Sequence, residues 1–266
     1  MHSSPTPASP WQDPLKTHLA RLPGEAGWAA RNLHSGRTLI YNPRRFLAAS
    51  TIKLPLLAVY AQKRHDKTFS SPYVYDPADD CEDSPCFEQL AAGTAVSWDE
   101  IADWMMIRSD NTATNLLIDR LGIGSVQAWI RAQGWQEMQL NRRMMDLTAR
   151  ARGIDNWTNP TEMMELMERL ARRSLLPAAD SEWMLGILHR CEDREKIPFL
   201  FDAGIQVANK PGELPGTRSD VGYVHDPDHE VVMALFCDGL PDEAAEIAAD
   251  LWLAELALLL WTELTI

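Results

Sequence analysis

The chain has 266 residues, 45% of them hydrophobic and 24% charged, with a formal net charge of −13. That size and apolar content suffice for one mixed domain or two intimately packed lobes and leave no room for a disordered chain. The acidity excludes a nucleic-acid binder, because phosphate contacts need clustered Lys and Arg and no basic run exceeds pairs such as Arg142-Arg143 and Arg172-Arg173.

Residues 1–14 are rich in Ser and Pro and lack the basic start and apolar run of a secretory signal, so they read as a frayed tail, and the protein is expected to be cytoplasmic unless a leader was removed. An opening helix is expected over 12–21, then a hairpin of strands 27–33 and 38–41 turning at His34-Ser35-Gly36. From Ser50 to about Arg64 the apolar positions Ile52, Leu54, Leu56, Leu57, Val59 and Tyr60 surround the helix, which makes it central and buried. A polar loop over 69–85 carries the acidic run 76–83, which lacks calcium-loop spacing and reads as a solvated loop placed to reach a cleft mouth. Helices follow over 98–107, 112–121, 125–133, 160–172 and 180–190, with Trp104, Met105, Met163 and Met164 as core residues.

Strand character returns over 205–210, 221–225 and 231–237, and a long amphipathic helix over 244–264 ends the chain; its Glu246, Asp250, Glu255 and Glu263 exclude a membrane span. The expected fold class is α+β: an antiparallel sheet formed by N- and C-terminal segments, flanked by helices, with an inserted all-helical lobe. Residues 1–24 form the tail and first helix, and 25–266 the domain, its α/β lobe spanning about 25–65 and 200–266 and its helical lobe about 66–199. Cys81, Cys86, Cys191 and Cys237 lie in no zinc pattern and are expected as free thiols, with a Cys81–Cys86 loop disulfide as the alternative. His225-Asp226-Pro227-Asp228-His229 reads as a hairpin tip rather than a metal site.

Three short motifs carry the chemistry: Ser50-Thr51-Ile52-Lys53, Ser109-Asp110-Asn111 and Lys210-Pro211-Gly212. A serine three residues before a lysine at a helix start shares a face with it, where the amine can take the hydroxyl proton. Each motif alone has an ordinary reading, as a helix cap for the first two and as the end of an edge strand for the third. Their order and context, helix start, inter-helix loop and strand end, describe one acyl-transfer site between two lobes.

On these motifs, and on the longer segments Phe46-Leu47-Ala48-Ala49-Ser50-Thr51-Ile52-Lys53-Leu54-Pro55 and Ser109-Asp110-Asn111-Thr112-Ala113-Thr114-Asn115-Leu116-Leu117, the chain resembles the penicillin-recognising serine hydrolases, within them the class A β-lactamase-like family, over roughly residues 25 to 264. The resemblance implies Ser50 as nucleophile and Lys53 as its base, with a pKa lowered from about 10.4 toward about 7 to 8 by burial, the helix N-terminus and Lys210. It implies an oxyanion hole of the Ser50 and Glu213 N–H groups, Ser109 as proton relay to the leaving nitrogen, Asn111 on the substrate amide, Gly212 in the substrate strand, and Arg218 on a substrate carboxylate. The substrate is a small amide, lactam or ester; no cofactor, nucleic acid or membrane partner is implied.

Two departures bear on turnover. Pro211 stands where relatives commonly have a hydroxyl that helps bind the substrate carboxylate, and a lost hydrogen bond to a charged group costs about 1.5–3 kcal/mol. Efficient class A enzymes also place a water-activating glutamate where this chain has Asn141-Arg142-Arg143-Met144-Met145-Asp146-Leu147-Thr148. Asp146 is the nearest carboxylate, either as its substitute or paired with Arg142 or Arg143. A serine hydrolase weak against penicillins is therefore expected, with a non-catalytic binder or a biosynthetic acyl transferase as alternatives.

Overall fold

The computed structural model describes residues 12–266. The tail expected over 1–14 lies outside the described residues up to position 11, and 12–14 already belong to α1 (Gln12–Leu19). A hairpin follows, β1 (Glu25–Asn32) and β2 (Thr38–Tyr41), with Trp28 stacked on its partner Tyr41. Asn32 Oδ1 closes the turn by accepting the N–H groups of His34 and Ser35. The short β3 (Phe46–Leu47) leads into a 3₁₀ turn over Ala49–Ile52 and directly into α2 (Lys53–Lys63), whose residues 53–61 are all buried.

The acidic loop is bracketed by β4 (Tyr73–Val74) and β5 (Ala95–Val96), which pair with each other. Helices α3 (Trp98–Ile107), α4 (Asn111–Leu121) and α5 (Ile123–Ala132) follow, the first two started by side-chain caps from Ser97 and Asp110. A loop with one short helix, α6 (Leu147–Ala151), returns to β6 (Trp157–Thr158), which pairs with β3. Next come α7 (Pro160–Ala171), capped by Asn159, and α8 (Ala178–Leu188). The chain closes with β7 (Gln206–Leu214), β8 (Thr217–His225), β9 (Glu230–Asp238) and α9 (Glu243–Thr265).

The main sheet has the order β2-β1-β9-β8-β7 with every pairing antiparallel, so strands from the two ends of the sequence enclose the helical lobe, as expected. Side chains alternate across it. One face, with Ala208, Val221, Tyr223, Val232, Ala234 and Phe236, packs on α2, α7 and the rest of the helical lobe. The other, with Val207, Val224, Met233, Leu235 and Cys237, packs on α9. Among the described residues no helix is long and apolar enough to cross a membrane. The four cysteines are free thiols, and the 225–229 segment is the β8–β9 hairpin tip.

Two local expectations need correction. Ser50 lies in a 3₁₀ turn, because Ala49 before it has a positive φ of 46° and the α-helix starts only at Lys53. Lys210-Pro211-Gly212 lies inside a strand, since β7 continues to Leu214; it is an edge strand, where a residue without an N–H is tolerated.

Candidate active site

Ser50 lies in the 3₁₀ turn Ala49–Ile52, and Lys53 follows that turn as the first residue of α2, its backbone N–H donating to Ser50 O three residues back. Ser50 is half-buried and lines the cleft between the lobes, and among the described residues no side chain or carbonyl takes its hydroxyl. Lys53 is fully buried. Its Nζ donates to Ser109 O at 2.6 Å, Asn111 Oδ1 at 2.9 Å and Ser109 Oγ at 3.1 Å. Burial, and after it the Lys210 charge, push its pKa well below the ordinary lysine value, with Asp110, Cys81 and Asp83 opposing.

The α3–α4 turn supplies the second motif. Ser109 has φ of +56°, a conformation that costs a non-glycine residue about 1–3 kcal/mol and persists only when its surroundings dictate it. Asp110 dictates it here: fully buried, it caps α4 through Ala113 N and also accepts the N–H groups of Cys86 and Phe87. Asn111 lines the cleft, but both ends of its amide are engaged, Oδ1 by Lys53 and Nδ2 on Glu82 O at 3.2 Å.

From β7, the buried Lys210 reaches Ser109 Oγ at 3.1 Å and Pro211 O at 3.0 Å. The Ser109 hydroxyl therefore lies at 3.1 Å from each of two lysine nitrogens, one carried by α2 and the other by β7. Burial lowers the Lys210 pKa, while Cys191, Asp193 and Asp220 hold it up. Pro211 lines the cleft and offers it no donor. Gly212 is where β7 meets the 3₁₀ turn: a Cβ there would stand 2.7 Å from Ser219 Oγ and 3.1 Å from both Ala49 Cβ and Ser50 N. Only glycine lets the strand backbone come this close to the Ser50 amide. Glu213, the next residue, also lines the cleft.

The loop expected to hold a water-activating carboxylate is built differently. Arg142 and Asp155, both buried, close it with a two-pronged pair at 2.7 and 2.9 Å, and Asn156 Oδ1 accepts the N–H groups of Asn141 and Arg142. Asn156 O in turn takes Ala48 N, tying the loop base to the Ser50 turn. Asp146 neither lines the cleft nor pairs with Arg142 or Arg143; it is the N-cap of α6, accepting Ala149 N at 2.9 Å, while Arg143 pairs with Asp119. Both expectations for Asp146 fail for this reason. Met144 faces the cleft instead, its backbone held by Asn115 through Met144 N to Oδ1 at 2.8 Å and Nδ2 to Met144 O at 3.2 Å.

Arg218 also departs from expectation. It pairs in register with Glu213, one position off the Gly212–Ser219 pair whose side chains face the turn, so alternation points it toward α9. There its guanidinium meets Glu246 at 2.8 Å and Asp250 at 3.5 Å, and it takes no part in lining the cleft.

The cleft has a volume of about 940 Å³, and Asp83 at the end of the acidic run forms one wall with Ser84, Pro85 and Glu88 that follow it. Cys191, Glu192 and Asp193 from the segment after α8 form another. Sequence reasoning missed this second wall, the Arg142–Asp155 clamp and the role of Asn115, because no motif marks them.

Comparison with known proteins finds relatives over nearly the whole chain. The model of the beta-lactamase enzyme family matches residues 11–264. A beta-lactamase of Streptomyces fradiae is 31% identical over 227 residues, 80% of this chain and 71% of that protein. The crystal structure of a beta-lactamase from Sphaerobacter thermophilus superposes with a TM-score of 0.82 at 28% identity, covering 94% of this chain and 97% of that one. A variant of PBP-A solved as an acyl-enzyme complex with penicillin G shares the fold, with a TM-score of 0.83 at 23% identity over 95% of each chain.

Proposed function

The chain belongs to the beta-lactamase enzyme family, and from that membership we propose that it opens a lactam, amide or ester by acylating Ser50 and releases the acyl group slowly. The observation that carries this reading is the Ser109 hydroxyl held between Lys53 and Lys210 in the cleft that Ser50 also lines, its hydroxyl taken by none of the described residues.

In this reading Lys53, its pKa lowered by burial and by its cationic neighbour, accepts the Ser50 proton as Oγ attacks the substrate carbonyl. Once protonated, its three N–H groups match its three acceptors, Ser109 O, Ser109 Oγ and Asn111 Oδ1. The Ser50 and Glu213 N–H groups receive the developing oxyanion, at the junction that Gly212 keeps narrow. As the C–N or C–O bond breaks, Ser109 gives its proton to the leaving atom and takes one from Lys53. Lys210 donates to Ser109 Oγ and holds it in line. Asn111 acts by positioning Lys53.

Release is the slow step, because the loop presents a thioether at Met144 where a water would need a carboxylate, and its two nearest carboxylates are committed, Asp146 to a cap and Asp155 to Arg142. Pro211 and the inward-turned Arg218 weaken binding of a carboxylate-bearing penicillin. An activity screen over lactams, small amides and esters, run beside Ser50→Ala, tests the reading: the wild type turns over at least one class and the variant loses it by orders of magnitude. Equal activity in both proteins would refute it.

A further inference from the structure

Lys196 lies outside every motif and outside the cleft, yet it is as buried as Lys53. A buried ammonium is costly unless paired and hydrogen-bonded, and three carboxylates from three separate elements surround this one. Asp193 Oδ2 is at 3.3 Å from the cleft-wall segment, Glu213 Oε1 at 2.5 Å from β7, and Asp250 Oδ1 at 3.3 Å from α9. Burial alone would lower the Lys196 pKa, but Asp193, Glu213 and Asp250 more than offset it and keep the group charged.

The same junction is braced twice more. Ile197 N donates to Asp220 on β8 at 3.0 Å, and Glu246 on α9 takes both Arg218 and the N–H of Gly216 in the β7–β8 turn. The end of the β7–β8 hairpin is thus pinned to α9 and to the cleft wall, with Lys196 touching all three parts. Glu213 is the informative partner. Its side chain is about half exposed, free to sample solvent without the lysine, while its backbone follows directly on Gly212, which packs at van der Waals distance on the Ser50 amide.

We propose that Lys196 is a positioning residue for the oxyanion hole: by holding the Glu213 carboxylate it fixes where the Glu213 N–H stands relative to the Ser50 N–H. This rests on the acyl-Ser50 reading above. A purely structural lysine would change stability and leave the chemistry of the folded fraction intact; a positioning lysine changes the acylation rate constant while leaving ground-state binding nearly alone, since oxyanion contacts strengthen in the transition state.

Acylation by penicillin G is followed by intact mass against penicillin concentration for wild type, Lys196→Met and Glu213→Gln, with the folded fraction checked by near-UV circular dichroism. Both variants are expected to lose about ten- to a hundredfold in the limiting acylation rate, less than the loss of a whole oxyanion donor, with the half-saturating concentration changed by no more than about threefold and the pH profile unmoved. Glu213→Gln decides the matter if Lys196→Met does not fold, because Glu213 is exposed and its amide cannot form the ion pair. Limiting rates within about twofold of an acylated wild type in the folded variants would overturn the inference alone. A wild type that forms no adduct would sink the Ser50 reading and this inference with it.

Discussion

Replacing Gly212 by Ala tests the closeness of β7 and the nucleophile turn. The added methyl would lie 2.7 Å from Ser219 Oγ, 3.1 Å from Ala49 Cβ and 3.1 Å from Ser50 N. Carbon atoms prefer separations of about 3.5–4.0 Å, so the strand and turn must part by about 0.5 Å. Ser219 can rotate only by giving up its bond to Gly212 O, and Ala49 is buried in an unusual backbone conformation with no slack. Gly212 itself has no positive φ, so the cost is steric and comes to about 1–3 kcal/mol of stability. Since a 1 Å misplacement near reacting groups costs about a hundredfold, an opening of half that predicts about a tenfold slower acylation of Ser50. Quenched-flow mass spectrometry with penicillin measures that rate, and thermal unfolding measures the stability. The double variant with Ser219→Ala relieves the shortest contact and is expected to recover stability but not rate. A folded Gly212→Ala protein that acylates at the wild-type rate would refute the claim that this approach sets the oxyanion geometry.

Other consequences concern the relay, the loop and the sheet. Ser109→Ala removes the hydroxyl between Lys53 and Lys210 and should slow acylation by about 10²- to 10⁴-fold in single-turnover assays. Met144→Glu places a carboxylate on the cleft wall with its backbone still held by Asn115, and should shorten the lifetime of a penicillin adduct by at least about tenfold, read as the decay of adduct mass. Asp220, fully buried against Asn209 and Ile197 N, has its pKa raised to about 7 by burial, with Lys196 opposing. A folded pKa above the unfolded value means that its contribution is complete below about pH 4 and is lost as pH rises through about 7, on the order of 4 kcal/mol. Urea denaturation of Asp220→Asn across that range should show a flatter pH dependence than wild type.

Much of this arrangement could be read from residue order. Apolar residues on every side of α2 foretold its central place, and strands confined to the two ends foretold the antiparallel sheet. The convergence of Lys53, Ser109 and Lys210 was foretold by motif order alone, since no periodicity links positions this far apart. The errors share one cause: each depended on register or backbone conformation, which composition does not encode. The resemblance puts Arg218 on the cleft, but the β7–β8 register sets it opposite Glu213 and turns its guanidinium toward α9. Asp146 was judged by its charge when a five-residue helix, too short to show a period, needed a cap. The positive φ of Ala49 and Ser109 has no local signal, and the Lys196 cluster joins side chains from three distant segments.

Peptide mapping after exposure to penicillin G addresses the acyl-Ser50 intermediate most directly. A mass increase equal to one penicillin, confined to the peptide carrying Ser50 and abolished by both Ser50→Ala and Lys53→Met, is the expected result. An adduct on any other residue, or one that forms as fast without the Lys53 amine, would contradict it.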